Sequence, residues 1–223
     1  MPPRHTEQNW ETAAPEYEQG SGCFSAFLLP PLMVILLSAL FAFFVWDKTP
    51  RANLPPATTK ISPIFRVEIQ YWSDSISQWA GAAGLDPNLA ATVMQIESCG
   101  DPRAKSSAGA MGLFQVMPFH FYVIDDPYSP NTNAARGLAY LAKSFETAGG
   151  NVRLAMAGYN GGIGLIGRAE WTWPAETKRY VQYGAPIYED ARKGLTSSKA
   201  LNDWYDKYGV SLCQQAHQEL GLP

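Results

Sequence analysis

The chain has 223 residues, 46% of them apolar, and a formal net charge of −3. This allows one domain of ordinary size with accessory segments and enough apolar material for a packed core. Lys and Arg are scattered rather than gathered into a stripe beside aromatic residues, which excludes nucleic acid as a partner.

Residues 1–22 form a short acidic tail carrying Glu7, Glu11, Glu16 and Glu18. From Cys23 to Trp46 no charge occurs, and Leu, Phe, Ala, Ile and Val dominate. About 20 such residues at 1.5 Å rise cross a bilayer, so residues 23–46 read as a single transmembrane helix, with Pro30 and Pro31 as a kink near its entry. A cleavable signal peptide fits less well, because the stretch outruns the usual apolar region and no small-residue cleavage site follows. Lys48, Arg51, Lys60 and Arg66 follow the span and only Arg4 precedes it. The positive-inside rule would therefore keep the C-terminal part in the cytoplasm, although large domains translocate largely regardless of such charges.

Residues 47–63 are rich in Pro and Thr without apolar periodicity and read as an extended linker. Beyond it, Phe65, Ile69, Trp72, Ile76, Trp79 and Ala83 recur in steps of four and three, predicting one helix ended by Gly84. Asp86-Pro87 is a start signal for a second helix reaching about Ser98. Further helices are expected over Ala134–Phe145, closed by Gly149-Gly150, then from Asn151 to Met156, and from Pro174 to Ile187. The tail carries two shorter candidates, around Leu201–Tyr205 and Ser211–Leu220. Strand alternation is nowhere sustained, so the fold class is all-α: a folded unit over 64–194 with a C-terminal helical extension over 195–223. Long loops around 99–132 and 160–174 remain, and loops of that size commonly carry function.

Cys99 and Cys213 are the only cysteines beyond the membrane edge. In an exported domain two thiols point to one disulfide; two separate buried thiols are the alternative. His5, His120 and His217 are far apart and no paired Cys/His spacing exists, so no metal and no cofactor is expected.

Ala90, Val93, Met94 and Glu97 stand at i, i+3, i+4 and i+7, so a carboxylate continues an apolar stripe at the last turn of its helix. Burial and the negative end of the helix both disfavour its anion. A carboxyl that keeps its proton near neutral pH can protonate a glycosidic oxygen as it leaves. A glutamate tied into a structural ion pair is the plain alternative.

Glu97 keeps company with other blocks. Glu97-Ser98 is followed by Gly109-Ala110-Met111-Gly112-Leu113-Phe114-Gln115, by Ala157-Gly158-Tyr159-Asn160-Gly161-Gly162, and by Glu176-Thr177 with Tyr180-Val181. In this order and spacing the chain resembles the soluble lytic transglycosylase catalytic domain, a lysozyme-like family related to goose-type lysozyme, over roughly residues 64–190. Gly158 departs from the alanine that commonly precedes Tyr-Asn there.

The resemblance implies a lysozyme-like helical domain that cleaves the β-1,4 bond between N-acetylmuramic acid and N-acetylglucosamine and leaves 1,6-anhydromuramoyl ends. Glu97 would be the catalytic acid and base. Ser98, Met111, Phe114, Gln115, Tyr159, Asn160 and Tyr180 would bind substrate, with Met111 and Phe114 offering apolar surface and Tyr180 facing the Glu97 carboxyl. The partners would be peptidoglycan strands and the bacterial cytoplasmic membrane, with the domain on its outer side; no protein partner is indicated. A hydrolytic muramidase using Asp101, Asp125 or Asp126 as second carboxylate, and a non-catalytic peptidoglycan-binding module, are the competing readings.

Overall fold

In a computed structural model the chain divides into two units, Met1–Arg51 and Ala52–Pro223. The structure describes residues 60–223 and, in the first unit, Val34. The expected membrane helix over 23–46, and the linker up to residue 59, lie outside the described residues. Among the described residues no helix is long and apolar enough to cross a membrane.

Over residues 60–223 eight α-helices follow one another: α1 Val67–Tyr71, α2 Ser73–Ala82, α3 Pro87–Glu97, α4 Pro130–Thr147, α5 Val152–Gly161, α6 Ala175–Arg192, α7 Lys199–Trp204 and α8 Val210–Glu219. Two isolated bridges, Lys105 with Met111 and Met111 with Val116, are the nearest approach to a strand among the described residues.

The core is organised around α3. Asp86 accepts a hydrogen bond from the Asn88 amide at 2.8 Å and Pro87 occupies the first turn, so the helix is capped by its own sequence. Every residue from Pro87 to Gln95 is buried. A helix buried on all sides has to be surrounded, and α1, α2 and α6 pack on it. The leader before α1 is also stitched to it: the Ser62 amide donates to Asn88 Oδ1 at 2.7 Å and the Arg66 amide to Gln95 Oε1 at 3.2 Å.

The single helix expected from Phe65 to Ala83 is two. The chain breaks at Trp72, whose indole Nε1 donates to the Gly100 carbonyl at 2.9 Å. That partner lies beyond the end of α3, so a long-range bond sets the break. The helix expected to stop near Met156 runs on to Gly161 and carries Tyr159-Asn160-Gly161 in its last turn rather than in a following loop. The two tail helices form one run joined by a π-helical turn at Tyr205–Gly209.

Cys99 and Cys213, 114 positions apart in sequence, are joined in a disulfide with Cα atoms 5.0 Å apart. It pins α8 to the residue two places beyond Glu97. Gln95 Nε2 lies 3.0 Å from Cys99 Sγ, and the buried Glu68 of α1 meets His217 of α8 at 3.0 Å.

The glycine that departs from the family pattern is explained by packing. A Cβ at Gly158 would lie 2.3 Å from Ser144 Oγ and 2.7 Å from Ile166 Cδ1. Ser144 cannot swing away freely, because its hydroxyl donates to the Ala155 carbonyl and so ties α4 to α5. Gly158→Ala is therefore expected to destabilise the domain by about 1–3 kcal/mol, read as a lowered Tm. Replacing both cysteines by serine is expected to cost roughly 2–5 kcal/mol in denaturant unfolding under oxidising conditions, given the long loop that the bond closes. Equal stability of parent and double variant would show that the bond is not formed.

Candidate functional site

Glu97 is the last residue of α3, and two cavities meet at it. One of about 380 Å³ is bordered by Glu97, Gln115, Tyr140, Tyr159, Asn160 and Glu176 among others. The second, of about 200 Å³, lies between α6 and the C-terminal helices. Asn160 and Glu176 border both, so the two form one groove with Glu97 on its floor. A larger cavity of about 680 Å³ opens at the other end of α3, beside Leu85 and Asp86. By helix rise that is about 16 Å from Glu97. Both of its acids are engaged: Asp86 caps α3 and accepts a hydrogen bond from the Tyr188 hydroxyl at 3.0 Å, and Glu189 is paired with Arg192 at 3.4 Å.

Burial pushes the Glu97 carboxyl from its ordinary value of 4.5 up to about 8; the nearby Tyr180 phenol opposes the rise, and the negative charge of Glu176 adds to it. No hydrogen bond of good geometry joins Tyr180 to Glu97. The Tyr180 hydroxyl is buried without a partner among the described residues, and burial raises its own pKa far above 10.0.

The loop from Cys99 to Ser129 is held in shape by bonds from the helices. Ser98 donates to the Leu113 carbonyl at 2.7 Å. Asn133 of α4, itself buried, accepts from the Phe114 amide at 2.9 Å and donates to the carbonyls of Met111 and Pro127. Gly112, at φ +71, leaves room for that clasp, since a Cβ there would stand 2.4 Å from Asn133 Nδ2. Leu113 and Phe114 then drop into the core and Gln115 turns to the groove with φ +45, a conformation rare outside glycine. Its Nε2 donates to the carbonyls of Ala104 and Gly112.

Two expected substrate contacts are corrected by this arrangement. Ser98 and Phe114 are fully buried, and they position the loop instead of facing the groove. Met111 is partly exposed but does not border either cavity at Glu97; its backbone makes the two bridges. Gln115, Tyr159, Asn160 and Tyr180 do gather around Glu97. Tyr159 donates to the Phe114 carbonyl at 2.6 Å, and Asn160 Oδ1 accepts from Thr177 at 2.8 Å, which fixes the amide and turns its nitrogen free.

Residues not singled out from the sequence also border the groove. His120 and Tyr140 lie ring to ring at 4.5 Å, and Tyr140 to Tyr159 at 5.8 Å, making an aromatic wall. Glu176 is the second carboxylate of the groove, whereas Asp101, Asp125 and Asp126 border neither cavity. Asp125 is paired with Arg136 at 2.7 Å, which holds its carboxyl below the usual range. Glu176 stands in the last sequence block, one residue before Thr177, and that adjacency was its signal.

The raised Glu97 value has a consequence for folding. A group whose pKa is higher folded than unfolded contributes stability that is complete below pH 4.5 and lost as pH rises towards about 8. Glu97→Gln cannot ionise, so its stability relative to the parent is expected to climb across that window, by a few kcal/mol at its upper end. A difference in Tm that stays constant with pH would show the carboxyl to be ordinarily solvated.

Residues 74–181 match the family model described as transglycosylase SLT domain. A transglycosylase of Enterobacteria phage PRD1 is 36% identical over 114 residues, covering 50% of this chain and 40% of that protein. A membrane-bound lytic murein transglycosylase E of Buchnera aphidicola is 29% identical, covering 33% of this chain and 39% of that one. The chain thus spans about two fifths of the length of these relatives. The lytic transglycosylase Slt of Pseudomonas aeruginosa, solved as an inactive mutant, is 25% identical with a TM-score of 0.45, covering 59% of this chain and 25% of that one. The helical body built around Glu97 belongs to the transglycosylase SLT domain family.

Proposed function

We propose that this chain is a lytic transglycosylase that cleaves the glycan strands of peptidoglycan between N-acetylmuramic acid and N-acetylglucosamine. The observation that carries the reading is the Glu97 carboxyl, proton-bearing up to about pH 8 on the floor of a groove walled by aromatic and amide side chains. Family membership and the activities of the relatives support it.

Glu97 donates its proton to the bridging oxygen as the bond from that oxygen to the muramoyl C1 breaks. An oxocarbenium-like centre is left at C1 and a carboxylate at Glu97. The carboxylate then takes the proton of the muramoyl 6-hydroxyl while that oxygen closes on C1, giving a 1,6-anhydro end and restoring the acid without water. One carboxyl in alternating protonation states suffices, and a raised pKa suits its first task. Asn160, with its amide fixed by Thr177, and Gln115 serve as hydrogen-bonding groups for sugar substituents; Tyr140 and Tyr159 offer ring faces. In this reading residues 64–194 are the catalytic unit, 47–63 the linker, whose last residues Ile61 and Ser62 are buried against that unit, and 23–46 a single-pass anchor that holds the unit outside the cytoplasmic membrane.

Glu176 gives a second reading some footing. Bordering the same groove, it could activate a water and make the enzyme a hydrolase.

Mass spectrometry of products released from purified peptidoglycan by the full chain tests both. Anhydromuropeptides are expected from the parent, with the rate falling as pH rises through about 8 and dropping about 10²–10⁴-fold in Glu97→Gln, the usual weight of a general acid. Reducing ends that disappear in Glu176→Gln would select hydrolysis, and no release by the parent would overturn both readings.

A further inference from the structure

The polar groups around the Cys99–Cys213 bridge exceed what a structural disulfide needs. A carboxylate oxygen of Glu68, from α1, and the two Sγ atoms, from the turn after α3 and from α8, all lie within 4.8 Å of one another. Glu68 is 3% exposed, and its Oε2 has no hydrogen-bond partner among the described residues. A buried carboxylate oxygen costs free energy while it stays unpaired, and a disulfide sulfur has no proton to donate to it.

The neighbours are arranged as supports. Gln95, fully buried, donates from Nε2 to Cys99 Sγ at 3.0 Å and lies 3.6 Å from Cys213 Sγ, while its Oε1 accepts from the Arg66 amide. An amide N–H aimed at two sulfurs suits thiolates, which carry the charge that such a bond stabilises. His217 of α8 places Nδ1 3.0 Å from Glu68 Oε1 and Nε2 3.2 Å from the Pro223 carbonyl oxygen. With Nε2–H donating to that carbonyl, Nδ1 presents its lone pair towards a carboxylate, and a cation between them satisfies both. Nitrogen and oxygen ligands at about 2.0–2.1 Å from a tetrahedral zinc stand about 3.3 Å apart, close to the separation of these two atoms.

We propose that Cys99, Cys213, Glu68 and His217 form a zinc site in the dithiol state of the chain. Two sulfurs, one oxygen and one imidazole nitrogen are a donor set for Zn²⁺, whereas Mg²⁺ and Ca²⁺ require a shell of oxygens. The set is assembled from α1, the turn after α3, and α8, so no short Cys/His spacing announces it. A newly made chain has its thiols reduced, and Zn²⁺ binds by displacing the two thiol protons. On oxidation the two thiolates form the S–S bond and release Zn²⁺. Their two electrons pass to a disulfide-bearing oxidant, which takes up two protons and becomes two thiols. Metal and bridge alike hold α8 beside the residue two places beyond Glu97, so the fold around the acid is pinned before and after oxidation.

The test uses the full chain with Cys23→Ser, which leaves only the two thiols in question, compared after reduction by a phosphine and after oxidation. Zinc per chain is measured by elemental analysis and affinity by competition with a chromogenic chelator, with Co²⁺ as the spectroscopic probe. The reduced chain is expected to bind one Zn²⁺, to show sulfur-to-cobalt charge-transfer absorption, and to melt at a higher temperature with zinc than without; the oxidised chain is expected to do none of these. Glu68→Gln and His217→Ala are each expected to weaken binding by about 10–100-fold. His217 is partly exposed, so its variant decides the matter should the buried substitution prevent folding. A reduced chain that takes up no zinc, an oxidised chain that takes up as much, or an affinity unchanged in either folded variant overturns the site. None of these readouts involves glycan cleavage, so the outcome is independent of the reading above.

Discussion

A carboxyl has to keep its proton where water is scarce, and the rest of the domain is arranged around that requirement. Desolvation raises the Glu97 pKa only because α3 is enclosed along its length, from Pro87 to Gln95, and ends at the groove. Were α3 a surface helix, the same glutamate would titrate like any other. The packing of α1, α2 and α6 about α3 is therefore the electrostatic setting of the site as well as the hydrophobic core.

Enclosure alone would seal the acid away from any substrate, so one side must open without losing shape. The loop from Cys99 to Ser129 meets both demands with little regular structure. Asn133 and Ser98, polar and buried, satisfy its carbonyls and amides from the helices, and Leu113 and Phe114 fasten it to the core. Buried polar clasps of this kind fix one conformation because the alternatives leave their groups unpaired. Gln115 is held at a positive φ by these neighbours and reaches the groove as a consequence.

Much of this was legible in the sequence, for physical reasons that differ residue by residue. The limits of α3 followed from Asp86, Pro87 and the apolar spacing, all local signals. Glu97 stood out because its position contradicted its polarity. The break at Trp72 was not legible, because a carbonyl 28 residues away decides it. Ser98 and Phe114 were read as facing substrate since they sit in the blocks that carry the family resemblance, but position in a block does not say which way a side chain points. Glu176 was passed over beside three aspartates of the loop because solvent-facing positions of a helix look alike until the tertiary fold sets one of them against the groove. Gly158 looked like a neutral exchange until Ser144 and Ile166 were found against it.

The disulfide also sets how the molecule bears force. It closes a covalent ring from Cys99 to Cys213, within which α4 to α7 and the first residues of α8 lie. A pull between residue 60 and the C-terminus runs through α1, α2 and α3, crosses the sulfur bridge, and leaves by the end of α8; the ring between is bypassed and carries no tension. Under load the segment that bears the tension is the one holding Glu97, while the far side of the groove feels no direct pull along its backbone. Stretching such a chain from its N-terminal side would therefore act first on the helix that carries the acid, and through it on the core that the same helix organises.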